Sequence, residues 1–286
     1  MYHCEKNIRM YTAQLLFDQI WKDYTQQNPE VKHIYDLFIN QGETVANDHI
    51  AFRTFNDSRV NIDVLSKAFI NVGYEFKGEY YFKEKHLYAK HFELKNFKDA
   101  PRVFISELIL EEMSLEMQKL AKSMIDRIPI ALIETPEFIF SGNSWGKPSY
   151  EQYQKLRLES EYAAWLYVFG FRANHFTVSV NALKNFDSIQ KVNQFLKENG
   201  YLLNTVGGEI KGCPDDLLEQ SSTKATLSFI DFEEGKFEIP TSYYEFANRY
   251  PDKNGNLFSG FIAQSADKIF ESTDYYKKEL LHFTFE

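Results

Sequence analysis

A chain of 286 residues, 44% hydrophobic and 26% charged, has the balance of a soluble globular protein large enough to bury a substantial core, as one large domain or two small ones. Its net charge of −9 argues against nucleic acid or an anionic membrane as a partner, no apolar run approaches the roughly 18 residues of a membrane helix, and no signal-peptide pattern opens the chain. Two cysteines, Cys4 and Cys213, make neither a disulfide framework nor a CxxC metal site, so cytoplasmic residence is the expectation.

Residues 10–26 place Ala13, Leu16, Phe17, Ile20, Trp21 and Tyr24 at helical spacing, and a shorter helix follows Pro29 with Val31, Ile34, Tyr35 and Phe38 on its buried side. Together they predict an N-terminal helical layer over 1–46, in which His3 and His33 are exposed bystanders. A strand over Asn47–Phe55 comes next, then a helix at 61–72 ended by Gly73, then strands near 74–82, 86–94 and 102–110. A mostly helical insertion, 111–170, carries amphipathic helices at 114–128 and 149–169. The first order then recurs: strand 174–181, helix 183–198 ended by Asn199-Gly200, and a strand near 201–206. A loop runs from Gly207 to about Ser222, followed by strand 223–231, a turn at Glu233-Glu234-Gly235, and strand 236–249. The same order twice predicts two βαβββ modules, 47–110 and 171–275, with a tail of 276–286, all in one compact unit.

Successive side chains of a strand point to opposite faces. In the first strand His49, Ala51, Arg53 and Phe55 therefore share one face, with Ile50, Phe52 and Thr54 behind. Asn174–Val180 repeats the pattern with His175, Thr177 and Ser179 in front, and Tyr243–Arg249 does so with Tyr243, Glu245, Ala247 and Arg249. If one curved sheet brings these fronts together, two imidazoles and a carboxylate surround one point. That is the donor set of non-haem Fe(II) oxygenases, which leaves coordination positions open, although the same donors also suit Mn and Zn.

With these residues in a doubled module, the sequence resembles the vicinal oxygen chelate superfamily and, within it, the 2-oxoadipate dioxygenase/decarboxylase (hydroxyglutarate synthase) family. The segments that carry the resemblance are Asp48–Arg53, Asn174–Thr177, Gly207–Gly212, Leu217–Ser222 and Tyr244–Arg249, within roughly residues 45–275. The resemblance implies an α+β fold in which the two modules form a curved mixed sheet around a metal cup. It implies that His49, His175 and Glu245 are the Fe(II) ligands and that Arg53 holds the distal carboxylate of a small 2-oxo dicarboxylic acid, with O2 as co-substrate. The activity implied is oxidative decarboxylation of a 2-oxo acid, 2-oxoadipate to 2-hydroxyglutarate. The rival on the same fold is a glyoxalase-like isomerase or lyase using Zn or Ni, with Glu107 as a fourth ligand; a binding protein for small acids is the third reading.

Other residues have plainer expectations. A buried guanidinium needs a counter-charge, which a substrate carboxylate would give Arg53 through a two-toothed contact. Val103 and Ile105 share the face of Glu107 and favour a structural role for it, and Arg249, about 13 Å along the strand from Glu245, is expected in a salt bridge. His86 and His91 are not expected to bind metal. Gly207-Gly208 and Gly212 fit a tight loop near the mouth of the site, where Gln220, Ser221 and Ser222 are candidate substrate contacts. No phosphate-cradling or dinucleotide fingerprint is present, and Cys213 is expected to be inert.

Overall fold

The computed structural model describes residues 2–97 and 99–273, with side chains from Thr12 onward. In chain order it has α1 (Tyr2–Gln27), α2 (Pro29–Asn40), β1 (Asn47–Phe55), α3 (Ile62–Leu65), α4 (Lys67–Ile70), β2 (Tyr74–Phe82), β3 (Leu87–Leu94) and β4 (Arg102–Leu108). There follow α5 (Leu115–Ile125), α6 (Ile130–Ile133), α7 (Tyr150–Glu159), α8 (Glu161–Phe169), β5 (Ala173–Ser179) and α9 (Ile189–Glu198). The last elements are β6 (Lys211–Cys213), β7 (Leu218–Ser222), β8 (Leu227–Phe232), β9 (Gly235–Pro240), β10 (Tyr243–Arg249) and α10 (Ala263–Phe270). The expected tail at 276–286 lies outside the described residues.

Eight strands form a mixed sheet in the order β2-β3-β4-β1-β5-β10-β7-β6, and β8 and β9 make a separate two-stranded sheet. Read outward from the middle, β1-β4-β3-β2 and β5-β10-β7-β6 are the same pattern twice. The fold class is thus α+β with a doubled βαβββ plan, as the repeat of elements predicts.

By their contacts the described residues divide into two compact units, one within 1–29, 47–176 and 231–235 and the other within 30–46, 177–230 and 236–286. In the first unit, β1 pairs parallel with β4, His49 lying opposite Arg102, Arg53 opposite Ser106 and Thr54 opposite Glu107. β3 continues antiparallel to β4, and β2 antiparallel to β3 with a bulge at Phe76/Gly78. The face of Ile50, Phe52 and Thr54 is covered by helices: Phe69 of α4 lies 5.3 Å from Phe52 and 6.1 Å from Phe17 of α1. Trp21 and Tyr24 of α1 each stand 4.9 Å from Phe176 of β5. In the second unit, Phe38 of α2 packs between Phe195 of α9 and Phe246 of β10, at 5.2 and 5.9 Å. This aromatic layer holds the apolar backs of the strands and leaves the fronts free for polar side chains.

Several expected elements come out differently. The helix expected at 149–169 breaks at Ser160, whose extended backbone (φ −150°, ψ 109°) lets its hydroxyl cap α8 through Ala163 N. The helix expected at 61–72 is two short ones that meet at Ser66. The strand expected at 236–249 splits into β9 and β10 after Pro240, which has no N–H to give a ladder. The run 201–206 is not a strand; it makes one bridge, Leu203 to Thr223, and leaves Leu202 73% exposed. Strand pairing moves instead into the stretch expected to be a loop, as β6 and β7.

Candidate metal centre

His49 is the third residue of β1 and is 2% exposed; His175 is the third residue of β5 and is 5% exposed. Glu245, third in β10, is 1% exposed. Each offers one ligand atom, and the three atoms lie within 4.8 Å of one another; among the described residues this is the group of this kind found. Buried carboxylates and imidazoles gathered so closely are costly unless something positive is shared among them. The donors, two nitrogens and one oxygen, are those a divalent transition metal accepts with positions to spare.

Each histidine is turned by the residue just before it. The Asp48 carboxylate lies 2.8 Å from His49 Nδ1, and the Asn174 amide oxygen lies 3.1 Å from His175 Nδ1. Both partners accept there, so Nδ1 of each ring is the donor, which is the tautomer that would present Nε2 to a metal. Asp48 is steadied in turn by Arg102 Nη1 at 3.4 Å, and Arg102 Nε lies 3.5 Å from Glu93. Such outer partners fix ring orientation and raise ligand basicity. The sequence reading gave Asp48 and Asn174 no role; the signal was there as an Asx-His pair at the same point of both modules.

Arg53 shares the His49 face, two side chains farther along β1, and is 1% exposed. Its guanidinium stacks over the rings of Tyr162 and Trp165 of α8, at 4.8 and 5.1 Å, and Nη1 is 3.8 Å from Glu161. Tyr162 is itself locked: its hydroxyl accepts from Thr54 N at 3.0 Å and donates to Ser106 O at 2.7 Å. Burial pushes that phenol well above its usual range, so it stays a neutral donor. The helix expected only as part of an insertion therefore supplies one wall around Arg53. Farther along the same face, His91 is 3% exposed and its Nδ1 is 2.9 Å from the Tyr80 hydroxyl. Gly78 makes room for this pair, because a Cβ there would sit 3.0 Å from the His91 ring.

The remaining candidates sort by face. Glu107 lies opposite Thr54, on the helix-covered side, and accepts from Ile62 N at the start of α3 at 2.9 Å. Burial raises its pKa. It is not among the three clustered side chains. Gln220 sits on the Glu245 face and donates from Nε2 to Glu245 Oε1 at 2.5 Å. Ser221 lies opposite Phe246, so it points to the helix side, and it donates to Asn193 of α9 at 2.7 Å. Ser222 is paired opposite Glu245, but its hydroxyl meets Ser272 at 2.8 Å. The structure thus brings Gln220 to the carboxylate and commits both serines to packing contacts. Arg249 donates to the carbonyls of Phe258 and Gly260, at 2.9 and 2.7 Å, and so ties down the segment after β10. His86 lies outside β3, exposed, 2.7 Å from Glu112, and His33 meets Tyr201 at 2.5 Å. Lys211, absent from the expected set, is 2% exposed and reaches Asn204 O at 2.5 Å. Burial pulls its pKa down to about 8.

A model of the 2-oxoadipate dioxygenase/decarboxylase family matches residues 12–255. The chain is 37% identical over 276 residues to the 2-oxoadipate dioxygenase/decarboxylase of Oryza sativa plastids, covering 88% of this chain and 76% of that one. Among solved structures, a rice hydroxyglutarate synthase in complex with 2-oxoadipate is 33% identical, with a TM-score of 0.87 over 98% of this chain and 96% of that one. A Shewanella frigidimarina protein, provisionally called a hydrolase, is 48% identical, with a TM-score of 0.83 over 87% of this chain and 97% of that one. With the matched span running through β1, β5 and β10, the chain belongs to the 2-oxoadipate dioxygenase/decarboxylase family.

Proposed function

We propose that this protein is an Fe(II)-dependent dioxygenase/decarboxylase that converts 2-oxoadipate and O2 to 2-hydroxyglutarate and CO2. The observation that carries the reading is the buried His49, His175 and Glu245 group, on a chain whose relatives are named for this reaction. The atoms balance: the bond between the first carboxyl and the keto carbon breaks, that carboxyl leaves as CO2 with its own two oxygens, and both atoms of O2 enter 2-hydroxyglutarate, one in the new carboxyl at the former keto carbon and one as the hydroxyl.

His49 and His175 would hold the iron through Nε2, and Glu245 would hold it through a carboxylate oxygen. Iron bound there would activate O2 and accept the 2-oxo acid at its open positions. The chain's own residues do the rest. Asp48 and Asn174 keep both imidazoles in the tautomer that presents Nε2. Arg53, stacked on Tyr162 and Trp165, offers a planar fork to the distal carboxylate, and its place on the His49 face sets which end of the diacid lies toward the metal. The buried surroundings keep bulk water from the reacting atoms.

A glyoxalase-type reading needs a fourth protein ligand, and Glu107 is occupied at the start of α3 on the other face. A metal-assisted hydrolase, the class provisionally given to the Shewanella relative, would use the same three ligands without O2. Protein loaded anaerobically with Fe(II) and mixed with 2-oxoadipate decides between them. O2 uptake and CO2 release in a one-to-one ratio are expected, and turnover that continues without O2 would refute the dioxygenase. Among the described residues no helix is long and apolar enough to cross a membrane. A cytoplasmic setting belongs to the proposal and rests on composition alone; both plant relatives are chloroplastic by name.

A further inference from the structure

The geometry points to Gln220 as the positioning residue for the Glu245 carboxylate rather than as a contact to substrate. The inference rests on the metal reading above and concerns residues that the described reaction does not use.

Gln220 lies in β7 opposite Ala247, which places its side chain on the Glu245 face two pairs along the ladder. Both residues are buried, at 2% and 1% exposure. A carboxylate only accepts, so the contact at 2.5 Å fixes the orientation of the amide: its nitrogen faces Glu245 Oε1. One donor on Oε1 restrains the rotation of the Glu245 carboxylate and so the direction in which its oxygens would meet a cation.

The other prong of the amide, Gln220 Oε1, is buried with no hydrogen-bond partner. An acceptor oxygen of that kind calls for a donor. A 2-oxo diacid at neutral pH brings only acceptors, so it cannot satisfy that oxygen. A water molecule can, and it is the species that holds the open positions of such a metal before substrate arrives. Lys211, opposite Gln220 on β6, gives its ammonium to Asn204 O at 2.5 Å. Gln220 therefore reaches Glu245 through a neutral amide donor.

The test uses the full chain with Gln220→Met, which keeps the volume and removes the amide, and Gln220→Glu, which keeps the shape but cannot donate when ionised. Melting of the metal-free proteins checks folding. Anaerobic titration with Co(II) reads affinity and the visible absorption of the bound ion, and KM for 2-oxoadipate is measured at saturating Fe(II). Both variants are expected to bind Co(II) about 10- to 100-fold more weakly and with an altered spectrum. KM at saturating metal is expected to stay within about twofold. Unchanged Co(II) affinity and spectrum in both variants would overturn the assignment, as would a raised KM with metal binding intact, which marks a substrate contact. A parent protein that binds no Co(II) would instead sink the metal reading itself, and this inference with it.

Discussion

Replacing Arg53 tests how the site holds its substrate. The guanidinium is 1% exposed and lies over two aromatic rings of α8 at 4.8 and 5.1 Å, which limits its movement. Two parallel charge-assisted hydrogen bonds to a carboxylate are worth about 1.5–3 kcal/mol each. Arg53→Lys keeps the charge but offers a point donor in place of a fork, so one of the two bonds is lost. The KM for 2-oxoadipate should therefore rise about 10- to 100-fold, at roughly 1.4 kcal/mol per decade. Arg53→Met loses both bonds and should raise it further. The control is 2-oxohexanoate, which has a methyl group where the diacid has its distal carboxylate, assayed as substrate or as competitive inhibitor. Its affinity should be nearly the same for the parent and for Arg53→Met, because it never used the fork. If Arg53→Met still prefers the diacid as strongly as the parent does, the carboxylate is held elsewhere and this role for Arg53 is refuted.

Three further outcomes follow from the same geometry. Asp48→Ala should weaken Fe(II) or Co(II) binding about 10- to 100-fold by titration, whereas Asp48→Asn should cost far less, since Asn174 already serves His175 with an amide. Glu107→Ala should lower the unfolding free energy by about 1–2 kcal/mol in urea, through loss of the bond to Ile62 N, and leave metal affinity unchanged. Lys211 has a folded pKa of about 8 against 10.5 when exposed, so between those values the unfolded chain holds more protons. Stability should rise with pH across that window and carry the full burial cost below it. Lys211→Met should remove that rise, about 3 kcal/mol at most from about 1.4 kcal/mol per pKa unit, as read by denaturant melts at pH 7.5 and 10.

The sequence by itself determined the doubled strand-helix plan and the shared front face of the three candidate ligands. Period-2 alternation with apolar backs is a local property, and it placed His49, His175 and Glu245 on the fronts of their strands before any pairing was known. The Asx-His pairs were equally legible, because a residue can only hydrogen-bond its neighbour's ring from next door. What local pattern could not supply was the company each front keeps. β7, with Glu219, Gln220, Ser221 and Ser222 all buried, has no hydrophobic alternation to announce it and is a strand only because β10 and β6 pair with it on either side. Pairing register, a long-range choice, set Glu107 opposite Thr54 and sent it to cap a helix; it also set Gln220 beside Glu245 and turned Ser221 away. The wall of Tyr162 and Trp165 around Arg53 comes from a helix more than 100 residues away in the chain, and only tertiary packing could bring it there.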